Sequence, residues 1–174
     1  LKYLDEAGFS LSLPLSYSWS PKNHPLCVPK HWGNAGRINV IGTLSCTKDQ
    51  QQLEYQLLEG RCKSEQVELY LETLAQHTQQ QGIQVVIVLD NAGFHKAKRI
   101  KKQRERWQAM GLTLWFQPPY SPQFNLIETI WKKLKSFLLP RRCYKNREDL
   151  KQALLSALNL MNAIEISQSY YGDT

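Results

Sequence analysis

Five consecutive apolar residues, four of them β-branched, run from Val85 to Leu89 and end on an aspartate, Asp90. A strand with one wet face alternates apolar and polar residues; an unbroken run of this kind fits a strand buried on both faces. Such a strand needs helices above and below it, and the flanking sequence supplies them. Ser64 reads as the N-cap of a helix, Val67, Leu71, Leu74 and Ala75 fall at helical spacing, and Gly82 closes it. A second helix spans Lys96 to Met110 and stops at Gly111, followed by a strand from Leu112 to Phe116. A third helix is expected from Asn125 to Leu138, stopped by Pro140, and a fourth from Arg147 to Met161, within a C-terminal helical region spanning 146–164.

The N-terminal third reads differently. Strands are expected from about Tyr3, at Ser16–Ser20, at Ile38–Leu44 and at Leu53–Leu58, the last two joined through the polar turn Thr47–Gln52. The first three resemble an antiparallel meander. Antiparallel strands followed by strand–helix alternation predict an α/β chain with a ribonuclease H-like, mixed five-stranded sheet and helices on both faces. At 174 residues the chain fits a single domain, 1–174. The longest apolar run is far too short to span a bilayer, and no basic-then-apolar leader is present.

Four cysteines (Cys27, Cys46, Cys62, Cys143) form no CxxC pair and read as small buried hydrophobes of a reducing cytosol. His24, Cys27 and His31 lie close in sequence but lack an evident fourth zinc ligand.

Three acids occupy unusual places. Asp5 sits inside an apolar strand, where a charge is costly unless it is paired or metal-bound. Asp90 ends the buried strand, and ligands of open α/β sheets collect at such carboxyl ends. Glu128 lies on the border of the helical stripe Ile127, Trp131, Leu134 and Leu138. Each has a structural alternative. Taken alone, Asp5 reads more readily as a strand-end aspartate at a frayed terminus. Asp90-Asn91-Ala92-Gly93 is good turn chemistry. Glu128 is the third helical position if Asn125 caps the helix, and Lys132 is four residues on to pair with it. Brought together, the three would repel one another, and Mg²⁺ or Mn²⁺ would relieve that repulsion.

These residues sit in segments that resemble a known family. Leu4-Asp5-Glu6-Ala7-Gly8-Phe9, Val88 to His95, and Pro118 through Trp131 are similar to the catalytic domain of DDE transposases, in the insertion-sequence 630 / mariner superfamily. Tyr17 to Lys22 and Arg37 to Gly42 match its other landmarks, so the similarity covers nearly the whole chain in order. The resemblance implies a transposase core that cleaves transposon ends and transfers strands into target DNA with two Mg²⁺ (or Mn²⁺) ions. It casts Asp5, Asp90 and Glu128 as catalytic, metal-binding residues, with Asn91, His95 and Asn125 as accompanying motif positions. It implies double-stranded DNA as partner (ends and target), a homodimer on DNA, no membrane, and a cytoplasmic location, nucleoid-associated in a bacterium. The family's N-terminal helix-turn-helix region is expected to be missing, which fits the abrupt start at Leu1. Leu126 stands where the family usually has proline, and the 37 residues between Asp90 and Glu128 make a longer gap than usual.

The formal charge is +7. Lys96, Lys98, Arg99, Lys101, Lys102, Arg104 and Arg106 crowd one helix directly after Asp90. With Lys132 and Lys135 on the face of Glu128, they are read as contacts to a DNA backbone; the alternative is a solvated helix face. A metal-dependent nuclease or resolvase and a decayed DNA-binding core are the rival functions.

Overall fold

The computed structural model describes residues 1–11, 19–24, 36–47, 50–119, 121–140 and 143–166. The expected strand at Ser16–Ser20 falls mostly outside them, and Trp19 and Ser20 are in no strand. Cys27 and His31 also lie outside the described residues.

Six strands form one sheet: β1 (Lys2–Phe9), β2 (Ile38–Cys46), β3 (Gln51–Leu58), β4 (Val85–Leu89), β5 (Leu112–Phe116) and β6 (Ile164–Glu165), in the order β5-β4-β1-β2-β3-β6. β1, β2 and β3 make the antiparallel meander, while β4 pairs parallel to β1 and β5 parallel to β4. The helices are α1 (Ser64–Gln81), α2 (Lys98–Ala109), α3 (Ile127–Lys133) and α4 (Arg147–Asn159). The sheet is thus mixed, as expected, but has six strands rather than five. The sixth comes from the expected C-terminal helix. α4 stops at Asn159, Asn162 turns the chain through a left-handed backbone conformation (φ 52°), and Ile164–Glu165 pair parallel with Glu54 and Tyr55.

Helices cover both faces, which is why β2 is buried along most of its length. Leu4, Ile41, Leu58, Ile87 and Leu89 pack under α1 and α2 with Leu71, Ile100 and Trp107. Ala7, Phe9, Val40 and Leu53 pack on the opposite face with Ile127, Trp131, Leu134, Leu150 and Leu154 of the last two helices and the turn after α3. Strand alternation puts Asp5 on the α3 face and its neighbour Glu6 on the α1–α2 face.

Three local details differ from expectation. The cap of α1 is Lys63, not Ser64; its backbone N–H donates to the Gln66 side chain at 2.7 Å. α2 begins at Lys98, after a loop that carries Lys96. The third helix begins at Ile127 rather than Asn125, and from Leu134 to Leu138 it widens into a π-helical turn closed by Leu139 N–H donating to the Leu134 carbonyl. Asn125 does not cap it. Its amide donates instead to the Leu4 carbonyl at 3.0 Å, fastening the approach to α3 onto β1.

Candidate active site

β4 is shorter than β1, and that difference opens the site. The parallel register matches Lys2 with Ile87 and Tyr3 with Val88, a constant offset that sets Asp5 level with Asp90. Beyond that point β4 has ended, so the loop after it occupies the freed side of β1. Asp5 in β1 and Asp90, directly after β4, therefore both lie at the carboxyl edge of this parallel pair. On the other side of Asp5 stands Gly42, its cross-strand partner in β2. A Cβ at Gly42 would come within 3.0 Å of the Trp131 ring. The bare backbone thus lets α3 lie close on the sheet, which carries Glu128, one helical turn before Trp131, toward Asp5.

The acids feel one another. Burial, then the charge of Glu6, and further the charges of Glu128 and Asp90 push the Asp5 carboxyl from 3.8 up to about 7. Asp5, Glu6 and Asp90 line a cleft of about 590 Å³. Asp90 and Glu128 line an adjoining cavity of about 410 Å³ with Lys96, Asn91 and Asn125. Asp90 borders both. Glu128 is exposed and, among the described residues, forms no ion pair with Lys132.

His95, fully buried, ties the two strands together. Its Nδ1 is 2.7 Å from Asp90 Oδ1 and its Nε2 is 2.9 Å from Glu6 Oε1. Burial alone would favour the neutral ring, but the two carboxylates outweigh it and raise the imidazole from 6.5 to about 9. Both ring nitrogens then donate. The hydrogen bond from His95, with one from the Ala92 backbone N–H at 2.9 Å, holds Asp90 below the usual carboxylate range. Both donors fall on the same oxygen, leaving Asp90 Oδ2 for another partner. Asn91 braces the loop: its amide donates to the Gln117 carbonyl at 2.6 Å. Glu6 was not singled out from the sequence; the signal was two adjacent acids in one apolar strand, which must point to opposite faces.

The basic helix divides in two. Arg99 bonds Glu68 at 2.5 Å and pairs with Glu65, and Arg106 pairs with Glu72, so these arginines clamp α2 to α1. Lys96, Lys98, Lys101 and Lys102 remain exposed, with Lys96 beside Asp90. Lys132 is exposed on α3. Lys135 lies in the π-helical turn with Nζ 5.4 Å from the Phe9 ring centroid; burial, then the nearby Arg37 charge, lower its pKa.

The donor chemistry suits a hard divalent cation. Carboxylate oxygens surround the edge, and Asn125 Oδ1 is buried there without a hydrogen-bond partner. Among the described residues no three His, Cys, Asp or Glu side chains stand close enough to hold one ion. The acids would have to close up around it.

A mixed sheet of this order, with helices on both faces and acids at the β1–β4 edge, defines a ribonuclease H-like domain. The chain belongs to the DDE superfamily endonuclease family, whose model matches residues 1–151. It is 31% identical over 78 residues to the uncharacterized protein y4pE/y4sA of Sinorhizobium fredii (strain NBRC 101917 / NGR234), an alignment covering 45% of this chain and 53% of that protein. Among solved structures it is similar in fold to Mos1 transposase in a paired-end complex with the left transposon end (TM-score 0.66) and in a strand transfer complex (0.57). Each is 16% identical, covering 89% of this chain and 46% of Mos1. A chain of the simian T-cell lymphotropic virus intasome, in complex with PP2A regulatory subunit B56 gamma, superposes with a TM-score of 0.54 at 16% identity, covering 90% of this chain and 46% of that one. The chain spans about half the length of these relatives. No helix among the described residues is long and apolar enough to cross a membrane.

Proposed function

We propose that this chain is the catalytic core of a transposase that cleaves DNA at transposon ends and joins the freed 3′ ends to target DNA. One observation carries the reading: Asp90 follows the end of β4 beside Asp5 of β1, and the Asp5 carboxyl is pushed up to about 7 by burial and by the acids around it, Glu128 included. Asp5 and Glu128, which form no ion pair among the described residues, are suited to recruiting cations. Asp5, Asp90 and Glu128 would hold two Mg²⁺ or Mn²⁺ ions, which when bound would sharpen a water or hydroxyl nucleophile and stabilise the leaving oxygen.

The chain's own residues do the rest. His95, held by Glu6, fixes one Asp90 oxygen and turns the other outward. Asn125 anchors the chain before α3 to β1, so Glu128 is carried on a fixed element. Lys96 and the exposed lysines of α2 offer charge to a DNA backbone next to the acids. Strand transfer requires a transposon end and target at one site, so a homodimer on paired ends is the expected working form. A DNA substrate also sets the location: cytoplasmic, with the nucleoid in a bacterium.

The test is nicking and joining of transposon-end DNA in Mg²⁺ by the protein that carries this chain. Asp90→Asn should abolish both without changing the circular dichroism spectrum. Full nicking by that variant would defeat the assignment. Nicking by the unaltered protein with no joined product would point instead to a nuclease or resolvase.

A further inference from the structure

We propose that Arg37 is a phosphate-binding residue that seats a DNA strand against the acid cluster. The proposal rests on the DNA-cleaving reading above and adds the groups that grip the substrate.

Arg37 directly precedes β2, opposite the end of β1. Its guanidinium lies flat on the Gly8 backbone, so that any Cβ at Gly8 would overlap it. Its Nε donates to Asn39 Oδ1 at 2.9 Å, and the Asn39 amide in turn donates to the Gly60 carbonyl at 2.5 Å. One N–H is thus spent on orientation, and the four on the two terminal nitrogens make no hydrogen bond among the described residues. Arg37 lines the same cleft as Asp5 and Glu6, yet among the described residues it forms no ion pair.

Lys135 lies over the ring of the next residue, Phe9, which strand alternation turns to the opposite face of the sheet, so Arg37 makes the cleft's contact to an anion and Lys135 adds only a nearby charge. A planar, pre-oriented guanidinium matches a phosphodiester. The cleft's volume, about 590 Å³, takes a group of nucleotide size.

The experiment measures binding of this chain to a fluorescein-labelled DNA duplex by anisotropy, with Ca²⁺ replacing Mg²⁺, across a salt series. Arg37→Ala should weaken binding about tenfold and reduce the slope of log affinity against log salt by about 1, as for loss of one phosphate contact. Arg37→Lys should keep the slope and recover part of the affinity. Gly8→Val should imitate Arg37→Ala with the arginine still in place, because it displaces the guanidinium. Thermal melts check folding of each variant; should Gly8→Val not fold, the two Arg37 variants decide. Unchanged affinity and slope in folded Arg37→Ala, with the unaltered chain binding DNA, overturn the proposal alone. Failure of the unaltered chain to bind overturns the DNA-cleaving reading with it.

Discussion

Replacing Asp5 with Asn should make the protein more stable, not less, above neutral pH. The Asp5 carboxyl titrates at about 7 in the fold against 3.8 in an unperturbed chain. Below the lower value it is neutral in both states and costs nothing. Between the two, the unfolded chain ionises while the folded one keeps its proton, so stability falls as pH rises. Above about 7 the full penalty applies, about 4 kcal/mol at about 1.4 kcal/mol per pKa unit. Asparagine has the same shape and no charge, and so escapes the penalty. Urea unfolding, followed through the five tryptophans, should give Asp5→Asn an advantage approaching about 4 kcal/mol at about pH 8, with an unchanged m-value. The advantage should close toward about pH 4. Added Mg²⁺ should stabilise the unaltered chain at the higher pH and leave the variant unmoved. An asparagine variant no more stable than its parent at about pH 8 would mean that the acid is already compensated, and the case for a cation-seeking cluster would fail with it.

His95→Gln should remove the complementary slope. An imidazole raised from 6.5 to about 9 adds stability below about 6.5 and loses it as pH rises through about 9, a change of about 3 kcal/mol that the variant should lack in the same titration. Gly42→Val should press on the Trp131 ring and lift α3, costing about 1–3 kcal/mol in thermal melts and altering the near-ultraviolet spectrum. Glu72→Leu should cost about 1–3 kcal/mol, because it strands the Nε1 of buried Trp107, which now donates to Glu72 at 2.8 Å. Glu65→Leu, which removes only one exposed partner of Arg99, should leave the melting temperature nearly unchanged in the same melts.

Local pattern alone was enough for the parts whose physics is local. The β-branched run Val85–Leu89 is a strand as expected, although only Val85, Ile87 and Leu89 are fully buried and Val86 and Val88 are half-buried; helical spacing after Ser64 places α1, and Gly82 ends it with a left-handed cap. Asp5 and Asp90 are legible because a charge within or at the end of an apolar strand demands a reason. What stayed hidden depends on partners distant in sequence. Asn125 reads as a helix cap, yet its amide is spent on Leu4, 121 residues away. Arg99 and Arg106 read as DNA contacts or solvated charge, yet they clamp α1. Ile164 falls at the end of the expected helical region, yet it and Glu165 pair with the edge of β3. Periodicity and breakers in the chain were enough to place β1 to β5 and the four helices. Folding alone sets the end of β4 opposite Leu4 and brings His95 to Glu6, because hydrogen bonds and charges act over a few ångströms in space, whatever the separation along the chain.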